Sequence, residues 1–177
     1  GVTGVILPES LLYIGKNAFS DANLKGKVVI PDKMQIINAK AFLENRSLTG
    51  VTFGRDLWII NDYAFQNCQK LNELTLRDKV EYIGVGCFEG CTGLNSIRLS
   101  HALQEIDDFA FLECGLKKLI VPKSVERIGA YAVGFSGKSY SEVFTPVSGF
   151  TLYGFRDTAA EAYAEEYGVT FAALDDI

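Results

Sequence analysis

A chain of 177 residues, 48% of them apolar, is long enough for one domain with a buried core, while polar residues interrupt every apolar run well short of a membrane span. The formal charge of −5 and a pI near 4.9 argue against nucleic acid as a partner, because that would require a basic stripe. Nucleophile, general-base and metal motifs are all lacking, so no catalytic role and no cofactor are expected.

The chain opens inside a repeat. Val5-Ile6-Leu7 already forms an apolar–outward–apolar triplet, as expected for a piece of a longer precursor whose leader and anchor lie elsewhere; Gly1 reads as a tag remnant. The same triplet returns at Val28-Val29-Ile30, Val51-Thr52-Phe53, Leu74-Thr75-Leu76, Ile97-Arg98-Leu99 and Leu119-Ile120-Val121. Alternation of this kind predicts a short strand with its middle residue turned outward. A turn follows each triplet, with Pro8, Pro31 and Pro122 ending three of the strands because proline fixes φ and donates no hydrogen bond. An inward residue comes next, at Leu11, Met34, Leu57, Val80, Leu103 and Val125.

Three residues later stands an isoleucine that leads an Ile-x-x-x-Ala-Phe motif, at Ile14/Ala18/Phe19, Ile37/Ala41/Phe42, Ile60/Ala64/Phe65, Ile83/Cys87/Phe88 and Ile106/Ala110/Phe111, spaced by 23 residues. A sixth, degenerate copy, Ile128/Ala132/Val133, arrives after 22. This periodicity marks a solenoid, in which each unit buries its apolar face only against its neighbours. After a polar bend, the Ala-Phe pair is expected on a tight helical turn, with Ala allowing close approach and Phe filling the space between rows. Leu48, Leu71, Leu94 and Leu116 close several repeats and lead into the next triplet.

The string P-x-x-[VLM]-x-x-I-[GND]-x-x-A-F-x-x-[CN] resembles the BspA-like leucine-rich repeat family, whose members are mostly surface or secreted proteins of bacteria and some protozoan parasites. The resemblance covers about residues 3–133. It implies an α/β fold, a right-handed leucine-rich solenoid of about six rows with parallel strands and short helical turns on the opposite face. It also implies a binding or adhesion scaffold, and names no catalytic residue and no ligand.

Residues 134–149 lose the period and concentrate Gly, Ser and Pro, which predicts an array over 1–133 followed by a long loop and a C-terminal capping module that together make up 134–177. Phe150–Gly154, Thr158–Gly168 and Val169–Leu174 resemble the terminating module of such arrays. Within it, Asp157 or Thr158 can cap a helix, Thr158-x-x-Glu161 has capping-box spacing, and Gly168 suits the left-handed position after its end.

Cys68, Cys91 and Cys114 share one column with Ala22 and Asn45, and Cys87 stands in the Ala column, so all four thiols are expected buried and unbridged. Asn45-Arg46-Ser47 is a glycosylation sequon, but its inward column predicts an amide bonded to backbone carbonyls instead. Residues 132–139 match a relaxed phosphate-loop pattern without the flanking strand and helix it needs, and read as a flexible Gly/Ser loop. His101 is expected as a solvated turn residue, and Asp107-Asp108 and Asp175-Asp176 as solvated charges.

One surface feature has shape. Tyr13, Ile36, Ile59 and Tyr82 recur beside the buried isoleucines, giving way to Glu105 and Arg127, with Leu12 and Trp58 one position earlier. Stacking would align them into an apolar and aromatic ladder, and exposed apolar patches on soluble proteins often mark contacts. The expected function is a non-catalytic extracellular or cell-surface module that binds a protein or glycan through Tyr13, Ile36, Trp58, Ile59 and Tyr82. The alternative is a passive spacer or assembly element.

Overall fold

A computed structural model describes residues 5–176, so Gly1 lies outside it. The array alternates two kinds of short strand: β1 (Tyr13–Ile14), β2 (Gly26–Val29), β3 (Ile36–Ile37), β4 (Leu48–Thr52), β5 (Ile59–Ile60), β6 (Glu73–Thr75), β7 (Tyr82–Ile83), β8 (Ser96–Arg98), β9 (Glu105–Ile106), β10 (Lys118–Ile120) and β11 (Arg127–Ile128). The odd-numbered strands form one continuous parallel sheet in the order β1-β3-β5-β7-β9-β11, each Ile column residue facing its counterpart one row on, as in Ile37↔Ile60. The even-numbered strands form the second face, and that face is interrupted. β2 pairs β4 and β6 pairs β8, but β4 and β6 are not hydrogen-bonded neighbours, nor are β8 and β10.

The continuous sheet thus forms at the isoleucine column, whereas the triplets expected as the main strands supply the broken face. Val5–Leu7 is not a strand, because this outermost described triplet exchanges no ladder bonds with β2. Its alternation nevertheless holds, with Ile6 99% exposed and Leu7 buried.

The helical turn expected at Ala-Phe takes the form of overlapping tight turns. Ala41 N–H donates to Asn38 O and Leu43 N–H to Lys40 O within the row, while Lys40, Phe42 and Glu44 N–H donate across to Asp62, Ala64 and Gln66 O in the next. Left-handed residues recur four apart within a row, at Lys40 (φ 58°) and Glu44 (φ 63°) and again at Tyr63 (φ 56°) and Asn67 (φ 60°), and glycine relieves the strain at Gly86 (φ 53°) and Gly90 (φ 73°). Between the two sheets lies the core, whose spine is a stack of rings. Phe19–Phe42, Phe42–Phe65, Phe65–Phe88 and Phe88–Phe111 lie 5.3, 5.0, 5.5 and 5.4 Å apart between centroids.

The segment expected as a loop is a hairpin, β12 (Phe135–Gly137) antiparallel to β13 (Phe144–Pro146). It is ordered by packing: Phe144 stacks on Tyr131 at 4.1 Å and on Phe109 at 5.6 Å. Next come β14 (Thr151–Gly154), helix α1 (Ala159–Tyr167) and β15 (Phe171–Ala173). β14 adds in parallel to β10, and β15 to β14, so the C-terminal module extends the second face beyond the last repeat. Gly168 ends α1 at φ 68°, with Val169 N–H donating to Ala164 O at 3.0 Å. Thr158 occupies the N-cap, but its hydroxyl donates to Phe155 O, and Glu161 reaches back to Asp157 N–H, one residue before the cap that the box spacing predicts.

Candidate functional site

The continuous sheet turns the ladder into a surface. In register along it run Tyr13↔Ile36, Ile36↔Ile59, Ile59↔Tyr82, Tyr82↔Glu105 and Glu105↔Arg127. Every second strand residue points away from the core, because strand side chains alternate. Tyr13 is 64% exposed, and Ile36, Ile59 and Tyr82 are half-buried. Trp58 and Leu12 sit one residue earlier on the turn and are 40% and 47% exposed. Tyr13, Ile36, Ile59 and Tyr82 therefore lie on one face in successive rows, and Trp58 sits beside them on the turn that leads into Ile59.

Beyond Tyr82 the ladder becomes an ionic lock. Tyr82 OH donates to Asp107 Oδ2 at 2.8 Å. Arg127 bonds Glu105, and also Asp107 at 2.8 Å and Asp108 at 3.1 Å. Burial alone would push the Asp107 carboxyl up, but the Arg127 guanidinium, the Asp108 N–H and the Tyr82 hydroxyl hold it below the usual carboxylate range. Burial, the hydrogen bond to Asp107 and nearby carboxylates push the Tyr82 phenol up, so it stays a neutral donor. Asp108 Oδ1 also accepts from Ala130 N–H at 2.9 Å, as Asp62 Oδ1 accepts from Val85 N–H. Asp107 and Asp108 are thus row-to-row connectors, contrary to the expectation of solvated charges. Asp175 likewise accepts from Arg156 N–H at 2.7 Å. Asp62 and Asp108 stand two rows apart in the same column, with Val85 between them, which was too thin a recurrence to signal this.

The thiol column binds backbone instead of ligand. Cys68, Cys91 and Cys114 Sγ donate to Phe42, Phe65 and Phe88 O at 3.2, 3.1 and 3.1 Å. Cys68, Cys87 and Cys91 are buried, Cys114 half-buried, and all four are unbridged. Burial pushes the Cys68 thiol up to about 12 and the others well above the usual thiol range. In the same column Asn45 donates to Phe19 and Phe42 O and accepts from Leu24 N–H, which leaves the sequon amide wholly enclosed.

Three donors of the phosphate-loop-like segment are turned to carboxylates of the array. Ser139 N–H and Oγ both donate to the Glu89 carboxylate at 2.9 Å, and Gly137 N–H donates to Glu113 at 2.7 Å. His101 is exposed, 3.6 Å from Asp78. Among the described residues, no group of three or more His, Cys, Asp or Glu is placed to hold a metal ion, and no helix is long and apolar enough to cross a membrane.

The BspA type leucine rich repeat region matches residues 12–140 in 6 copies. Among curated proteins, none matches. Among solved structures, a leucine rich cell surface protein of Faecalibacterium prausnitzii A2-165 is similar at 27% identity and a TM-score of 0.72, over 86% of this chain and 39% of its own. A leucine-rich repeat protein from Bacteroides ovatus ATCC 8483 shares the fold at 24% identity and a TM-score of 0.71, over 86% of this chain and 43% of its own. The pneumococcal vaccine antigen PcpA is similar at 27% identity and a TM-score of 0.60, over 67% of this chain and 32% of its own. The chain therefore spans less than half the length of each of these proteins.

Proposed function

From the premise that the chain belongs to the BspA-type leucine-rich repeat family, we propose that it is a non-catalytic, extracellular binding module that engages a protein or polysaccharide at the cell surface through Tyr13, Ile36, Trp58, Ile59 and Tyr82. The observation that carries this reading is the in-register line of Tyr13, Ile36, Ile59 and Tyr82 on the continuous six-stranded sheet, with Trp58 40% exposed on the turn beside it. A flat ladder of this kind offers a partner rigid contact area with little side-chain entropy to lose. Support for a cell-surface setting comes from the F. prausnitzii relative, itself a cell surface protein. In this reading residues 1–133 are the array and 134–177 its terminating module, whose β14 and β15 cover the strand edge that β10 would otherwise present.

The rival is a passive spacer, favoured by the row-to-row hydrogen bonding that would resist extension. A glycan and protein array probed with the purified chain and with Trp58→Gln separates the two. Binding that the substitution weakens tenfold or more supports the ladder, whereas no binding to any partner supports the spacer.

A further inference from the structure

Two clefts lie on the second face beside its two interruptions, and one of them has the composition of a ligand site. The cleft between β4 and β6, about 490 Å³, is lined mainly by polar side chains such as Lys27, Asn72 and Arg77. The cleft between β8 and β10 is larger, about 670 Å³, within the range of small-ligand sites, and is closed at one end by Phe155 and Leu174 of the C-terminal module. Arg98, Lys118 and Lys123 line it, in a chain whose formal charge is −5. Two of the three have a carboxylate within reach, Asp78 at 3.7 Å from Arg98 and Asp175 at 3.8 Å from Lys123, while among the described residues Lys118 has no ion pair. The floor is apolar, with Ile120 53% exposed and the Phe155 ring under Lys123 Nζ at 4.4 Å.

Neutral hydrogen-bonding groups, Asn95 and Ser96, stand beside the cations.

We propose that this cleft binds an acidic oligosaccharide, a hexuronate whose carboxylate meets Arg98 and Lys118, whose hydroxyls meet Asn95 and Ser96, and whose C–H face lies on Ile120. Each part of the lining answers one part of such a sugar. Guanidinium and ammonium donors match the carboxylate, amide and hydroxyl groups match the ring hydroxyls, and an exposed aliphatic floor matches the ring face. An acidic peptide adding as a strand fits less well. Residues of β8 and β10 approach within 8 Å between Cα atoms, less than the roughly 9.6 Å of two ladder steps that an inserted strand needs.

Isothermal titration calorimetry of the purified chain against galacturonate, glucuronate and guluronate trisaccharides, their methyl esters and a poly-glutamate peptide tests this. At least one free-acid trisaccharide should bind, with affinity falling tenfold or more on esterification and in Arg98→Ala or Lys118→Ala. Trp58→Gln should leave it unchanged, which separates this site from the ladder. Failure of all the free-acid trisaccharides at millimolar concentration, equal binding of the esters, binding of poly-glutamate alone, or loss of binding in Trp58→Gln would each overturn the proposal.

Discussion

The rings of Phe42 and Phe65 lie 5.0 Å apart between centroids with their planes 4° from parallel, one row of the solenoid directly over the next. Phe65 is wholly buried, stacks on Phe88 from the other side and meets the edge of Phe53 at 6.0 Å. Phe19 is only half-buried and stacks in one direction. Phe65→Ala is expected to cost about 3–5 kcal/mol and Phe19→Ala distinctly less, measured by denaturant titration. Equal losses would contradict the nearest-neighbour account of the array.

Asn45 serves three backbone groups at once, so its removal leaves the Leu24 N–H without a partner and takes a donor from two Phe carbonyls. Asn45→Ala should destabilise by about 2–3 kcal/mol, more than an isolated hydrogen bond contributes. Asn45→Cys should cost less, because the same column accommodates Cys68 donating to Phe42 O. A thermal melt of both variants orders them, and a reversed order would refute the role assigned to the column.

The buried thiols give the protein an alkaline limit. A thiol of raised folded-state pKa contributes stability that is whole below the unfolded value of about 8.5 and declines as pH rises toward the folded value, about 12 for Cys68. Stability should therefore fall from about pH 8.5 upward, and Cys68→Ala should flatten the slope by up to about 1.4 kcal/mol per pH unit. Thiol titration should find slow reaction in the folded chain and four equivalents after unfolding; two or fewer equivalents after non-reducing unfolding would reveal a bridge.

Acid should loosen the lower end of the ladder. Asp107 has a lowered folded-state pKa, so its contribution is present above the unfolded carboxylate value of about 3.9 and is lost as pH falls through the folded value. Asp107→Asn should cost about 1–3 kcal/mol at neutral pH, as loss of charge-assisted hydrogen bonds does, and the difference from wild type should shrink below about pH 4. A pH-independent difference would show that the carboxylate charge is not what Tyr82 and Arg127 respond to.

Trp58 reports on the ladder itself. At 40% exposure its emission should be quenched by acrylamide in the free protein and protected in a complex. Trp58→Gln, which restores the residue found at Gln35 and Gln104 in the same column, should cost about 1–2 kcal/mol for the packed part of the ring. Emission already shielded in the free chain would place the indole in the core and remove it from the proposed site.

What the sequence determined by itself is whatever repeats. Rows spaced by 23 residues, inward Phe and Leu columns, unbridged cysteines and the ladder of Tyr13, Ile36, Ile59 and Tyr82 all follow from periodic burial, because a solenoid presents each column with the same environment in every row. Departures from the repeat were decided only by tertiary structure. Which strand column would hydrogen-bond continuously depends on how rows align in space, and the isoleucine pairs prevailed over the triplets. The Gly- and Ser-rich segment became a hairpin because Phe144 found Tyr131 and Phe109, and its donors found Glu89 and Glu113. The cleft unites Arg98 and Lys118 with Phe155 and Leu174, residues of the array with residues of the C-terminal module that follows it. Contacts between the array and a segment outside its period carry no recurrence, and only the packing of the C-terminal module against the last rows brings them together.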